Sequence, residues 1–203
     1  MKAQTQRIAV FGAGGHGRVV ADCAKLLGYD EIKIFDDRSG PGFTEMCAEI
    51  GQFENCTVAL GQNLMRLEKL HRLQEAGARL SPLIHPSAII SESATIAGGS
   101  FVAAGAIVGP FAKVGFGALL NTSCSIDHDC VLGAGVHVSP GARLAGGVIV
   151  EDQVWVGIGA VVREGIQIGA RATLGAGAAV VADVTEDMTM LGVPARAATT
   201  KAS

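Results

Sequence analysis

The chain has 203 residues, a high apolar fraction and a net charge of −3 at pH 7. This charge balance excludes the strongly basic surface of a nucleic-acid-binding protein. No apolar run reaches the roughly 20 residues of a membrane-spanning helix, and we expect Lys2 to Arg7 to lead into a strand rather than into the apolar segment of a secretory leader. The five cysteines show no CxxC spacing. We therefore expect reduced thiols, no membrane insertion and a cytoplasmic location.

The first eighty residues predict a Rossmann-like α/β unit. Arg7–Phe11 is an apolar, β-branched run that reads as a strand and ends in a glycine-rich turn. A helical pattern follows and stops at Gly28, where glycine suits a helix C-terminus. Glu31–Phe35 reads as a second strand and ends in two aspartates. Strand, glycine turn, helix, strand and acid is the order that opens a nucleotide-binding fold.

The glycine turn predicts a phosphate-bearing ligand. Gly12, Gly14 and Gly17 fit G-x-G-x-x-G, with an acid about twenty residues further on. Such a turn lets the backbone approach a phosphate, at which the amides of a helix N-terminus can point. Eighty residues have room for three or four strands but not for two mononucleotide-binding halves. A sugar nucleotide therefore fits better than NAD, and a turn that only packs helix on strand stays a third reading.

A third strand and a long helix complete the predicted unit. Thr57–Leu60 reads as the strand, and Gln62–Gly77 as the helix. One face of this helix is apolar: Leu64, Leu67, Leu70 and Leu73. The opposite face is predicted to be solvated: Arg66, Lys69, Arg72 and Glu75.

A six-residue repeat organises the rest of the chain. Every sixth residue from Ile84 to Val180 is Ile, Leu or Val, seventeen in all, and a small or β-branched residue follows each one four positions later. This period fits neither a helix nor a simple strand, but it fits a solenoid of short flat faces. Three faces close a coil of eighteen residues. The repeats then make between five and six coils, stacked about 4.8 Å apart.

One segment of the repeat is unusually polar. Between Asn121 and Cys130, His128 and Asp129 lie at outward positions, because Ile126 and Cys130 take the inward ones. Asp129 can hold the imidazole in one tautomer and raise its basicity. Gly146 follows His128 by one coil of eighteen residues, so its N–H can face an oxyanion. His137 is a second outward histidine.

The chain resembles the hexapeptide-repeat acyltransferases, whose repeats form a left-handed parallel β-helix. Five motifs narrow the resemblance to bacterial nucleotide-sugar N-acetyltransferases: GxGGHG, FDD, GQNxxR, NTSxxxxHDC and GVPAR. The resemblance covers essentially the whole chain. Members of this group acetylate the 4-amino group of UDP-4-amino-4,6-dideoxy sugars on the way to bacillosamine. Close relatives act on GDP-perosamine, and others resemble sialic acid O-acetyltransferases.

The resemblance implies roles for particular residues. His128 matches the general base, Asp129 the acid that supports it, His137 the histidine near the acetyl group, and Gly146 the amide donor to the thioester carbonyl. Some members have Glu where this chain has Asp129. The candidates for nucleotide-sugar binding are Gly14, Gly15, His16, Gly17, Asp36 and Asp37. The candidates for acetyl-CoA binding are His137, Gly146, Ile158, Gly175, Gly177, Pro194 and Arg196.

The resemblance also implies a homotrimer, with acetyl-CoA between neighbouring β-helices. We expect no metal and no acyl-enzyme in the reaction, since no cysteine lies outward near His128. We expect a Rossmann-like domain at 1–82, a β-helix at 83–185, and a C-terminal close at 186–203 that ends in a polar tail. Three rivals remain: O-acetylation of a sialic acid, a nucleotide-binding β-helix scaffold without activity, and an NAD-dependent enzyme.

Overall fold

The computed structural model describes residues 5–198, so the polar tail predicted at 199–203 lies outside the described residues. A small α/β unit packs against a left-handed β-helix, which confirms the predicted fold class. Within residues 5–198, no helix is long and apolar enough to cross a membrane.

The N-terminal unit is a parallel three-stranded sheet in the order β2-β1-β3. Its elements are β1 (Arg7–Phe11), α1 (Gly15–Leu26), β2 (Glu31–Phe35), α2 (Phe43–Glu49), a 3-10 turn (Ile50–Gln52), β3 (Asn55–Val58) and α3 (Asn63–Glu75). Both α2 and the 3-10 turn were missed by the sequence patterns. β3 starts two residues earlier than predicted, although the ladder continues where Ala59 N–H donates to Phe11 O.

The β-helix has three faces of two-residue parallel strands. The first face contains β4 (Leu83–Ile84), β7 (Phe101–Val102), β10 (Leu119–Leu120), β13 (His137–Val138), β16 (Trp155–Val156) and β19 (Thr173–Leu174). The second contains β5 (Ile89–Ile90), β8 (Ile107–Val108), β11 (Ser125–Ile126), β14 (Arg143–Leu144), β17 (Val161–Val162) and β20 (Ala179–Val180). The third contains β6 (Thr95–Ile96), β9 (Lys113–Val114), β12 (Val131–Leu132), β15 (Ile149–Val150) and β18 (Gln167–Ile168).

The predicted inward residues form one continuous core. The aliphatics from Val102 to Val180 are buried, and the small residues four positions later fill the corners beside them. Ile84, Ile90 and Ile96 are only partly buried, because no earlier coil covers the first one. After the repeat ends, β21 (Thr189–Leu191) extends the first face, and β22 (Arg196–Ala197) pairs with it antiparallel.

The corners of the prism share one backbone conformation. Every sixth residue from Gly99 to Gly177 has a positive φ between 55° and 69°. Most are glycines, which adopt this left-handed conformation at no steric cost. Asp129 is one of the exceptions, with a φ of 59°. The backbone therefore turns at Asp129 in the same way as at every other corner.

Helix α3 lies along the corner between the third and first faces. Leu70 packs over Gly99 and Gly117, and Leu67 packs over Gly117 and Gly135. These three glycines are one coil apart. One helical turn rises about 5.4 Å and one coil about 4.8 Å, so successive turns of α3 meet successive coils. Glycine at the corner lets the helix approach closely.

Two predictions about α3 were wrong. Arg66 was assigned to the solvated face, but its residue is only 2% exposed. Its guanidinium bonds to the carbonyl oxygens of Gly117 and Gly135, so the buried stripe of the helix is wider than its leucines indicate. Leu64 was assigned to the apolar face but is 49% exposed.

The helix contact predicts a difference between two corner glycines. A Cβ added at Gly135 would lie 2.5 Å from Leu67 Cδ1, whereas one at Gly165 meets no atom within 4 Å. Their φ angles are 65° and 68°, so the backbone cost of alanine is shared. Overpacking should make Gly135→Ala less stable than Gly165→Ala by about 1–3 kcal/mol. Thermal unfolding of the two variants measures this; equal midpoints would contradict the docking of α3.

Candidate active site

His128 and Asp129 form the turn between the second and third faces. His128 Nδ1 lies 2.8 Å from Asp129 Oδ2. Because a carboxylate only accepts hydrogen bonds, Nδ1–H is the donor, which leaves Nε2 free to accept a proton. This hydrogen bond raises the pKa of His128 above its ordinary value. The exposed pair therefore has the form of a histidine base oriented by an acid.

Gly146 lies one coil beyond His128, beside its ring. A Cβ at Gly146 would collide with Nε2 and would lie 2.5 Å from Cε1 of His128. The next coil carries Glu164 at the same position, so the corner itself tolerates a side chain. Among residues 5–198, no hydrogen-bond acceptor faces the Gly146 N–H. Glycine therefore leaves both room and a free donor next to the imidazole.

His137 points away from the β-helix core, as predicted, but it is not on the surface. It lies on the first face under the N-terminal unit and is 7% exposed. Burial, together with the nearby Arg66 and His16 charges, lowers the pKa of His137 to about 4. The ring is therefore neutral near pH 7 and does not take up a proton there.

Asn121 holds the His137 ring from the previous coil. Its Nδ2 lies 3.3 Å from His137 Nε2, and its Oδ1 accepts the Thr122 N–H at 2.9 Å. With the amide placed in this orientation, Nε2 accepts and the proton of the neutral ring sits on Nδ1. Nδ1 is buried and has no hydrogen-bond partner within residues 5–198.

Trp155 was missed by the sequence patterns, although it follows His137 by one coil of eighteen residues. Its indole stacks on the His137 ring with centroids 5.6 Å apart and an interplanar angle of 11°. Its Nε1–H donates to Ser139 Oγ at 2.9 Å. A side chain of this size on an outward position, 46% exposed, gives the first face an aromatic platform.

An apolar cleft of about 420 Å³ runs from this platform along the next corner. Three of the residues predicted to bind acetyl-CoA line it: His137, Ile158 and Gly175. Gly177, Pro194 and Arg196 are not among its lining residues. Arg196 bonds through Nη1 to Ala195 O.

A second cavity, of about 400 Å³, lies at the carboxyl end of the N-terminal sheet. Five of the six residues predicted to bind the nucleotide sugar line it: Gly14, Gly15, His16, Asp36 and Asp37. Gly17 does not line this cavity; it packs against Gly12 O, where a Cβ would collide with the backbone. Position 17 is a glycine because helix α1 approaches the loop closely there.

The acids of this cavity are held by the protein. Asp36 Oδ2 accepts the Ala13 N–H at 2.9 Å, and this bond, with a second from Arg38 N–H, lowers its pKa. Asp37 Oδ1 accepts the Phe43 N–H at the start of α2, which lowers its pKa as well. Both side chains are therefore ionised near pH 7 and brace the loops around the cavity.

Lys69, predicted to be solvated, is a wall of the same cavity. Its side chain is only 15% exposed. The ammonium lies 4.1 Å from the ring centroids of Phe11 and Phe43 and 3.2 Å from Asp37 Oδ2. His16, on the other side, packs edge-on against Phe101 of the first face. Its pKa is lowered to about 4, first by burial and then by Arg66.

One chain does not bring all the predicted residues together. His128, Asp129 and Gly146 lie at the corner between the second and third faces, whereas His137 and its cleft lie on the first face. In a three-sided prism this corner is opposite the first face. The cavity of the N-terminal unit adjoins the first face through His16 and Phe101. The base and the cleft therefore lie on opposite sides of one β-helix.

Within residues 5–198, no group of three His, Cys, Asp or Glu side chains is arranged to hold a metal ion. Cys124 and Cys130, the cysteines nearest His128 in sequence, are buried in the core. Burial raises the pKa of Cys124 to about 12 and that of Cys130 above its ordinary value.

Comparisons with known proteins agree with these features. The PglD N-terminal domain family matches residues 7–73. The acetyltransferase domain of PglB from Neisseria gonorrhoeae, in complex with acetyl coenzyme A, is 39% identical; the match covers 96% of this chain and 100% of that chain, with a TM-score of 0.92. PerB from Caulobacter crescentus, in complex with CoA and GDP-perosamine, is 32% identical over 97% and 99% of the two chains, with a TM-score of 0.92.

WeeI from Acinetobacter baumannii shares the fold at 24% identity over 96% and 100% of the two chains, with a TM-score of 0.87. The identity to the PglB domain over nearly the full length of both chains, together with the PglD-type N-terminal domain, establishes the family. The chain belongs to the nucleotide-sugar N-acetyltransferases of the hexapeptide-repeat, left-handed β-helix class.

Proposed function

We propose that this protein transfers the acetyl group of acetyl-CoA to the amino group of a nucleotide-linked amino-deoxy sugar, with a UDP-4-amino-4,6-dideoxy sugar as the favoured acceptor. The observation that carries the proposal is the His128–Asp129 pair, whose free Nε2 lies beside Gly146, a residue whose N–H makes no hydrogen bond within residues 5–198. A proton acceptor next to an oxyanion donor is what amine attack on a thioester requires.

The reaction is a direct transfer. The unprotonated sugar amine attacks the thioester carbonyl carbon, and His128 Nε2 takes the amine proton as the C–N bond forms. The Gly146 N–H stabilises the oxyanion of the tetrahedral intermediate. The C–S bond then breaks, and the imidazolium returns its proton to the departing thiolate. Since Cys124 and Cys130 are buried and hold their protons, no acyl-enzyme forms at His128.

The nucleotide sugar occupies the cavity around the glycine loop. The backbone at Gly14 and Gly15 is open, with no atom except the flexible Arg18 side chain within 4 Å of an added Cβ; Gly14 is the N-cap of α1 and Gly15 its first residue. A diphosphate is favoured there by the amides of a helix N-terminus. The cavity reaches His16, which contacts the first face through Phe101. The sugar end of the ligand is thereby directed towards the side that carries His137.

Acetyl-CoA occupies the cleft beside His137. The Trp155 ring, Ile158 and Pro140 give it an apolar lining suited to the pantetheine chain. Gly146 contacts the thioester from the opposite corner of another subunit, and Gly177, Pro194 and Arg196 extend the CoA contacts beyond the cleft.

A complete site requires a second copy of the chain. The His128 side chain is 59% exposed on a convex corner, and the first face with both cavities lies on the other side of the prism. Apolar side chains flank this corner on the second and third faces: Ile107, Val131, Ile149 and Val161. Closed cyclic symmetry would pair this corner with the first face of the next subunit. We propose a homotrimer with three such sites.

GDP-perosamine is the second candidate acceptor, because PerB, bound to it in its crystal structure, is 32% identical over almost the whole chain. The deciding experiment is acetyl transfer, followed by release of free thiol, over a panel of UDP-, GDP- and TDP-linked 4-amino sugars and free sialic acid. Transfer to sialic acid alone would favour O-acetylation. No transfer to any acceptor would favour a nucleotide-binding scaffold, and NAD binding would favour an NAD-dependent enzyme.

Replacing the base should abolish most turnover. His128→Ala removes the proton acceptor and should lower kcat by roughly 10²–10⁴-fold. His71→Ala is the matched control, since His71 is exposed on α3 and lies outside both cavities. The thiol-release assay and the oligomeric state are measured for both variants. Near wild-type activity in a folded His128→Ala protein would refute the assignment.

The pH profile should depend on Asp129. His128 works as a base only when neutral, so kcat/KM falls as the pH drops through its raised pKa. Asp129→Asn loses the charge-assisted bond, which lowers the pKa of His128. The acid limb should therefore move to lower pH while the maximum rate also falls. An acid limb that stays in place with the same substrate would show that another group titrates.

Mixed subunits should reveal the shared site. His128→Ala and His137→Ala chains are each expected to be weakly active alone. Unfolded together and refolded as random trimers, they should regain about a quarter of the wild-type sites, those built from one intact corner and one intact first face. Activity that does not exceed the sum of the separate variants would place both histidines in a site within one chain.

A further inference from the structure

Arg66 is a buried cation whose hydrogen bonds join the two parts of the molecule. Its Nη1 donates to Leu60 O at 2.9 Å and to Gly61 O at 3.1 Å, in the wall of the nucleotide cavity. Its Nε donates to Gly117 O at 2.9 Å, and its Nη2 to Gly135 O at 2.8 Å, on two successive coils. All five N–H groups of a guanidinium are thus used when Asn63 is included.

No carboxylate in residues 5–198 forms an ion pair with this charge. A buried cation satisfied only by carbonyl dipoles and an amide is costly, and burial lowers the pKa of Arg66 to about 10. A methionine or leucine would fill the same space, but it would leave the carbonyl oxygens of Leu60, Gly61, Gly117 and Gly135 without this donor. Packing alone therefore does not explain an arginine here.

The Arg66 guanidinium lies between the wall of one cavity and the coils of the other. Gly135 O lies two residues before His137, while Leu60 and Gly61 line the cavity next to His16. Asn63 continues the same contact one coil further, because its Nδ2 donates to Gln153 O at 2.9 Å and to Val154 O at 3.2 Å, just before Trp155. The N-terminal turn of α3 thus connects the cavity wall to the coils that carry both rings of the cleft.

We propose that Arg66 is a positioning residue for acetyl transfer: its guanidinium fixes the distance and angle between the nucleotide cavity and the His137–Trp155 cleft of the same chain. The proposal rests on the function proposed above. Because amine and thioester must meet in a near-attack geometry, a small shift between two intact sites costs rate without costing affinity. Arg66 itself touches neither ligand, since it lines neither cavity.

The test separates rate from binding. Arg66→Met keeps most of the side-chain volume, Arg66→Lys keeps the charge but not the fork, and Arg72→Met is the matched control on the exposed side of α3. Thiol release gives kcat with the best acceptor, and calorimetry gives the affinities of UDP, GDP and CoA separately. Both Arg66 variants should lose kcat by about 10²-fold. The dissociation constants should change by less than about threefold.

A spectroscopic readout accompanies the kinetics. The Arg66 charge contributes to the low pKa of His137, about 4, so in Arg66→Met the imidazole should titrate at higher pH by NMR, and Arg72→Met should leave it unchanged. If Arg66→Met does not fold, Asn63→Ala takes its place. This variant should lose kcat by a smaller factor, again with unchanged affinities. This titration needs no substrate, so it tests whether the Arg66 charge reaches the His137 ring even if no acetyl transfer is found; the split between kcat and affinity tests the positioning itself.

Several results would overturn the proposal. Wild-type kcat in folded Arg66→Met would show that the fork is dispensable. Full activity in Arg66→Lys would show that charge alone acts. A loss that follows only the folded fraction, or only the affinity for UDP or GDP, would make Arg66 a structural residue or a ligand contact. If the wild-type protein acetylates no sugar, the proposed function fails instead. A His137 titration that stays unchanged in Arg66→Met would show that the Arg66 charge does not reach the cleft, which would overturn the proposal for Arg66.

Discussion

The structure depends on the backbone hydrogen bonds between successive coils. Each coil repeats the bonds of the one before, as where Leu119 N–H donates to Val136 O at 2.8 Å and His137 N–H donates to Val154 O at 2.9 Å. This ladder fixes a constant rise and places every residue over the one eighteen positions away. The pairing of His128 with Gly146 and of His137 with Trp155 follows from it, and so does the spacing of corner glycines that helix α3 uses.

Electrostatics divides the histidines into two kinds. His128 is exposed, hydrogen-bonded to Asp129 and raised in pKa, so it suits proton transfer. His16 and His137 are largely buried near Arg66, and their pKa values are lowered to about 4. Both rings therefore stay neutral near pH 7 and serve as packing and hydrogen-bonding groups. The histidine pKa values move in opposite directions because His128 is exposed beside a carboxylate, whereas His16 and His137 are buried near a guanidinium.

The three-sided cross-section separates the elements of the proposed reaction. A corner and the face opposite it cannot approach one another through a filled core, so one chain offers a base on one side and two cavities on the other. Assembly around a threefold axis, as proposed above, would bring these surfaces together and would cover the exposed His128–Asp129 pair. In the proposed trimer, oligomerisation is part of the active site.

The sequence by itself determined the β-helix and the outward position of His128, because a period of six fixes which side chains enter the core. It also determined the Rossmann-like unit, through the order of strand, glycine turn, helix, strand and acid. The glycine loop and acids likewise indicated a cavity that five of six predicted residues do line. Only the tertiary structure decided the burial of His137 and Arg66, the roles of Asn121 and Trp155, and the separation of His128 from the cleft. The burial of His137 and Arg66 depends on how the N-terminal unit and α3 lie against the β-helix, whereas the other contacts depend on the three-sided stacking of coils. Arg66 shows the limit most clearly: beside Lys69 and Arg72 it reads as solvated surface, and only the carbonyls of distant corners make its burial possible.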